Sequence, residues 1–245
     1  MKKIIASFGW LMLLLPLISV AGNKSFLNSI NGGFAETETR QVSNFKGVSS
    51  GGSFDVFITM GGQESLKLEG DKEDLAKIET VVEDGILKVR FQKKMNSSWF
   101  NTHEKVRVYI TAKQLDEVSL SGSGNIKVDG TIKSTDFKTK LSGSGNISLA
   151  ANASTFNAAI SGSGGITVSG ETKGSSISIS GSGDFNGKGL HSQTTDIKIS
   201  GSGNAKVNVD ETLNAAVSGS GNIYYSGKAQ VANVKKSGSG SISKM

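Results

Sequence analysis

The chain has 245 residues, 32 of them glycine, one proline and no cysteine, and its 27 basic and 21 acidic residues give a net charge of +6. The lack of cysteine excludes disulfides, a lipoprotein anchor and thiolate chemistry. The basic excess is almost wholly lysine, with only Arg40, Arg90 and Arg107 for arginine, which argues against nucleic acid as a partner because that recognition draws on arginine interleaved with aromatics.

At the N-terminus, Met1-Lys2-Lys3, the apolar stretch Ile4 to Val20 and the small residues Ser19-Val20-Ala21 read as a secretory signal peptide cut after Ala21. The mature chain is therefore expected to be exported, to the periplasm or the outer cell surface, without a transmembrane segment. Residues 22–33 are small and polar with no period, as in a flexible leader. From Phe34 to Met245 a single β domain is expected.

Four strands stand out in its first half by alternation of apolar residues with period two. Ser53 to Met60 turns Phe54, Val56 and Ile58 inward, and Glu64 to Glu69 does so with Leu66 and Leu68. Ile86 to Gln92 places Leu87, Val89 and Phe91, and Lys105 to Thr111 places Val106, Val108 and Ile110. Between the second and third, Gly70 to Leu75 reads as a capped helical turn with Asp71 as N-cap, and Leu75 and Ile78 face the core. The segment Met95 to His103 is an insertion that carries Trp99 and Phe100 on a polar loop, where rings either stack on a sugar or partner, or fold back over the core.

The second half is a repeat. Ser-Gly-Ser-Gly occurs seven times, starting at Ser121, Ser142, Ser161, Ser180, Ser200, Ser218 and Ser237, at intervals of 18 to 21 residues. A period near 20 residues signals a solenoid, in which each unit buries its apolar face against its neighbours. The residue before each copy is Leu120, Leu141, Ile160, Ile179, Ile199, Val217 or Lys236, and two positions earlier stand Val118, Thr139, Ala158, Ile177, Ile197, Ala215 and Val234. Beyond each corner the alternation resumes with Ile126, Ile147, Ile166, Phe185, Ala205, Ile223 and Ile242. Each coil is thus expected to hold two short strands joined by a glycine corner. The fold expected is an all-β solenoid, a β-helix-like stack of roughly 20-residue coils, with an irregular N-terminal half.

The residue after each corner is Asn125, Asn146, Gly165, Asp184, Asn204, Asn222 or Ser241, a series that forms a stacked polar ladder. A calcium-binding β-roll fits poorly, since its unit is nonapeptide-long and rich in carboxylate. Lys127, Lys140, Lys198, Lys206 and Lys235 fall at outward positions, where they keep strand surfaces soluble or line a face for acidic polysaccharide or lipid headgroups. Tyr224 and Tyr225 place one ring outward and one inward. In the last coil Lys236 replaces the usual aliphatic, so that end is expected to be shielded by lysines or covered by a partner, a second copy of the chain included.

The series Phe45-Lys46-Gly47-Val48, Phe54-Asp55-Val56-Phe57-Ile58, Asp84-Gly85-Ile86-Leu87-Lys88-Val89, Val106-Arg107-Val108-Tyr109-Ile110-Thr111 and Leu120 to Ile126 resembles the head GIN domain family of auto-transporter adhesins. The likeness runs from about Val42 to the C-terminus. It implies an exported, sheet-rich domain typical of Gram-negative bacteria, with an adhesive role and no catalytic residue. No segment after Ser121 offers the lipid-facing strands of a membrane barrel.

Chemistry is sparse. His103 and His191 are far apart and follow no metal-ligand spacing, the Ser-Gly-Ser-Gly corners do not form a nucleophile elbow, and no carboxylate pair stands at the outward positions Ser119, Lys140, Ala159, Ser178, Lys198, Ala216 and Lys235. Neither catalysis nor a cofactor or metal is expected. The reading is a non-enzymatic binding protein of the cell envelope whose partner is a glycan, matrix or envelope protein, with Trp99, Phe100 and Tyr224 as candidate contacts. The alternatives are a structural or regulatory envelope protein and a β-helical polysaccharide-active enzyme.

Overall fold

Alternation makes each repeat a strand with two unpaired edges, and the glycine corners satisfy those edges by turning every repeat back onto the one before it. The computed structural model describes residues 36–92 and 106–245. In chain order the elements are β1 (Glu36–Arg40), β2 (Gly47–Gly52), β3 (Asp55–Met60), β4 (Ser65–Gly70), α1 (Lys72–Leu75), β5 (Ile78–Glu83), β6 (Ile86–Phe91), β7 (Arg107–Ala112) and β8 (Glu117–Gly122). They continue with β9 (Asn125–Gly143), β10 (Asn146–Gly162), β11 (Gly165–Gly181), β12 (Asp184–Gly201), β13 (Asn204–Gly219), β14 (Asn222–Ser226), β15 (Gln230–Ser237) and β16 (Ser241–Lys244). No helix among the described residues is long and apolar enough to cross a membrane.

The chain winds as a β-solenoid with two main ladders. The front face runs β1-β4-β7-β3, then the opening segments of β9 to β13, then β14 and β16. The back face runs β5-β6-β2-β8, then the closing segments of β9 to β13, then β15. Pairing is parallel except at β1 with β4, β4 with β7, and β5 with β6.

The repeat columns stack in register. Leu120, Leu141, Ile160, Ile179, Ile199, Val217 and Lys236 are successive partners on the back face, and Ile126 to Ile242 are so on the front face. Each fully buried aliphatic contributes about 1.5–3 kcal/mol, so the stack is held by one such increment per column per turn. The corners add hydrogen bonds along the axis. The Ser163 and Gly164 amides both donate to the Gly143 carbonyl at 3.0 Å, and the pattern starts at Gly52, whose carbonyl accepts from Gly124 at 3.1 Å.

Two details differ from the sequence reading. A coil is one strand of 16 to 19 residues from corner to corner rather than two short ones. It bends around a further inward position filled by Ile132, Ala151, Leu190 or Val209, with the bend taken up by glycines such as Gly130 (φ 89°) or by register shifts. In the first half, β7 lies between β4 and β3, and β5 with β6 forms a hairpin closed by Asp84-Gly85 at φ 53° and 74°, the left-handed pair that a two-residue turn requires. The expected helical turn is present as α1. The Asp71 carboxylate accepts from the Glu73 amide at 2.8 Å, and Leu75 and Ile78 are buried. Arg40 ties β1 down by donating to the Leu75 and Ile78 carbonyls and to Thr80 Oγ1.

A zigzag of Phe137, Phe156 and Phe185 crosses the core, with centroids 6.0 and 6.3 Å apart. Phe185 stands in a front-face column that from Ile126 to Ile242 otherwise holds isoleucine or alanine, and space is made for it in three places. At Gly187 a Cβ would lie 2.6 Å from the Phe185 ring, Ala205 follows it in its column, and the back-face column changes from Phe156 to Ser175 and Thr195. Those two hydroxyls meet at 2.7 Å and Thr195 meets Ser192 at 2.7 Å, so their burial is compensated. Thr139 is different. It is 1% exposed, and its Oγ1 has no hydrogen-bond partner among the described residues. Thr139→Val keeps the shape and removes a desolvated hydroxyl, so it is expected to stabilise the fold by about 1 kcal/mol, measured as a higher urea midpoint.

Candidate ligand-binding face

Positions with outward parity on the front face carry the chain's most distinctive surface. Trp99 and Phe100 lie outside the described residues. Tyr224 points outward from β14 and is half-buried. With Asp184, Phe185, Asn186, Asn204 and Lys206 it lines a depression of about 390 Å³. Tyr225, of the opposite parity, packs against the core. The five outward lysines are exposed but divided between faces: Lys127 and Lys206 on the front, Lys140, Lys198 and Lys235 on the back.

Beside the Tyr224 column runs the polar ladder. Asn125 Nδ2 donates to Asp55 Oδ1 at 2.7 Å, and Asn146 Nδ2 to Asn125 Oδ1 at 3.1 Å. After a gap at Gly165, the Asn204 amide and Nδ2 both donate to Asp184 Oδ1 at 3.0 Å, and Asn222 Nδ2 donates to Asn204 Oδ1 at 3.0 Å. The ladder closes with Ser241, whose hydroxyl donates to Asn222 Oδ1 at 2.7 Å. These side chains satisfy one another along the axis, which makes the ladder a scaffold for the neighbouring column.

At the N-terminal end of that column stands a cluster missed by the sequence reading. Phe57 of β3 and Tyr109 of β7 are direct partners, with rings stacked 5.4 Å apart at 19°. Lys67 of β4, next in register, sets its Nζ 4.6 Å from the Tyr109 ring centroid, a cation–π contact. Lys127 is the next partner on the other side of Phe57. Tyr109 is therefore covered on both sides, whereas Phe57 is 38% exposed. Burial and the neighbouring Glu69 carboxylate push the Tyr109 phenol above its usual value, so it stays a neutral hydroxyl. Glu69 itself pairs with Arg107 at 2.9 Å. The parity of Phe57 and Tyr109 was legible, since each sits between two inward residues of an alternating strand, but their adjacency depends on β7 entering between β4 and β3.

Two further acids are engaged in structure. Glu117 pairs with Lys140 at 3.1 Å, and Asp116 accepts from Ser134 Oγ at 2.8 Å. Among the described residues no three of His, Asp and Glu gather as metal ligands, and His191 is exposed beside Asn208. On the back face, shallow depressions of about 550 and 460 Å³ are floored by serine, alanine and aliphatic side chains and include Lys140, Lys198 and Lys235, with no exposed aromatic ring.

A family model described as "Putative auto-transporter adhesin, head GIN domain" matches residues 44–229. Among solved structures the chain is similar to a putative adhesin from Bacteroides fragilis, with 22% identity, coverage of 87% of this chain and 98% of that one, and a TM-score of 0.80. It is similar also to a putative lipid binding protein from Parabacteroides distasonis, at 23% identity, 87% and 98% coverage and a TM-score of 0.70. A putative adhesin from Parabacteroides merdae aligns at 22% identity, 87% and 97% coverage and a TM-score of 0.67. At these identities the likeness concerns the fold. No curated protein matches the chain.

Proposed function

The chain belongs to the head GIN domain family of putative auto-transporter adhesins, and from that premise we propose that it is an exported, non-enzymatic binding protein of the cell envelope that recognises a glycan through its front face. The family supports an adhesin-like protein. The observation that carries the ligand class is the Phe57 ring, exposed on a rigid sheet, stacked on the half-buried Tyr109 and flanked by Lys127, with Lys67 beyond Tyr109. Exposed aromatic side chains next to hydrogen-bonding groups suit the apolar C–H faces and hydroxyls of a sugar ring. Both rings project from central strands, so the surface is held in place without the entropy cost of ordering a loop.

The experiment is binding of the purified protein to an array of glycans and matrix proteins, beside Phe57→Ala/Tyr109→Ala and Trp99→Ala/Phe100→Ala double variants shown by thermal melting to be folded. Saturable glycan binding, weakened at least tenfold in the first variant and unchanged in the second, is the expected result. Binding lost only in the second variant moves the site to the 95–103 segment. Silence across the array favours a structural or regulatory envelope protein.

A further inference from the structure

Followed in register along the axis, the outward column that holds Phe57 reads Tyr109, Phe57, Lys127, Ser148, Thr167, Asn186, Lys206, Tyr224. Its stretch from Phe57 to Tyr224 is nearly symmetric, a ring and a lysine at one end, a lysine and a ring at the other, and short polar side chains between, with Tyr109 and Lys67 beyond Phe57 and Ser243 beyond Tyr224. We propose that this column is one continuous site for an elongated acidic glycan strand, laid along the solenoid axis and gripped at both ends by the pairs Phe57–Lys127 and Lys206–Tyr224. This rests on the glycan reading above and specifies its ligand.

The dimensions follow from the register. Phe57 and Tyr224 are six strands apart, about 29 Å at the usual strand spacing, and the two lysines are about 19 Å apart on the same measure. A single sugar reaches one pair only, so engaging both requires an extended strand. The floor suits such a ligand: Ser148, Thr167 and Asn186 are exposed, short, and able both to donate and to accept.

Charge sets the sign of the ligand. Among the described residues Lys127 and Lys206 form no ion pair; of the nearby acids Glu69 pairs with Arg107, while Asp55 and Asp184 stand in the neighbouring ladder column, where they accept from Asn125 and Asn204 and keep their charge at the margin of the track. Asp129 is exposed one column away, at the margin of the track. Between its end rings the column thus offers two unpaired cations, with Lys67 over Tyr109 beyond Phe57, and no carboxylate of its own. Two binding points on one rigid support also imply avidity, since the second engagement is intramolecular once the first has formed.

The test is calorimetric titration of the protein with polygalacturonate and heparin fragments of graded length, with phosphatidylglycerol vesicles as a separate arm. Affinity is expected to rise at least tenfold as fragments grow long enough to join the two pairs, then to level off, and to fall with added salt. Lys206→Ala/Tyr224→Ala is expected to reduce long fragments to the affinity of short ones and to lower the number of short fragments bound from two to one. Affinity independent of length, or long-fragment binding unaffected by that variant, overturns the proposal. So does binding to vesicles without binding to either oligosaccharide, which assigns the lysines to a membrane surface. If neutral glycans bind through Phe57 and Tyr109 but acidic strands show no length dependence, the track fails and the simpler glycan site stands. If no glycan binds, both fall.

Discussion

Gly162→Ala is expected to destabilise the protein by on the order of 4 kcal/mol, more than any surface substitution. Two costs combine. Gly162 has φ 127°, a backbone region that is nearly exclusive to glycine and costs a residue with a Cβ about 1–3 kcal/mol. The added methyl would also be driven into the carbonyl oxygen of Gly143 in the coil below. That carbonyl accepts from both Ser163 and Gly164, so displacing it weakens two corner hydrogen bonds worth about 1 kcal/mol each. The first corner glycines share this geometry, with φ between 111° and 129° from Gly122 to Gly238. Gly62→Ala is the control. Its Cβ meets nothing within 4 Å, so a change within about 0.5 kcal/mol is expected. Urea unfolding of the two variants checks the pair.

Phe156→Ala is the second large effect, about 3–5 kcal/mol. Phe156 is fully buried and is the middle ring of the zigzag, with Phe137 on one side and Phe185 on the other. Its removal leaves a void that neighbouring coils cannot close, because their ladder spacing is fixed by the corners. Phe156→Leu fills most of the space and is expected to cost about 1.5 kcal/mol. In a solenoid each coil touches only its neighbours, and stability is a sum of local and interface terms. A hole in β10 therefore weakens coupling between the coils before and after it. The alanine variant is expected to unfold over a broader urea range, with a lower apparent m-value, than Gly62→Ala.

Where one residue sets its own neighbours through periodicity, the sequence was a good guide. The back-face column of Leu120, Leu141 and Ile160, the corners, the Asn ladder and the N-cap at Asp71 all follow from alternation and spacing, because a parallel stack pairs each residue with its equivalent in the next repeat. Pairings between non-equivalent segments were not legible. Phe57 meets Tyr109 only because β7 enters the front face beside β3, and the partners of β4 and β5 run antiparallel. The accommodation of Phe185 by Gly187, Ser175 and Thr195 also spans opposite faces, where no period links the residues. Tyr224 was singled out as a ring beside the last coils. Its place in one column with Phe57, Lys127 and Lys206 required the register.

On the reading proposed above, ligand is bound by the front face. Hydroxyl-radical footprinting of the protein, alone and saturated with whichever glycan binds on the array, addresses it most directly. Protection of Phe57, Tyr109 and Tyr224, with Lys140, Lys198 and Lys235 on the back face unchanged, is the result predicted. Protection confined to the back face, or to Trp99 and Phe100, would contradict it.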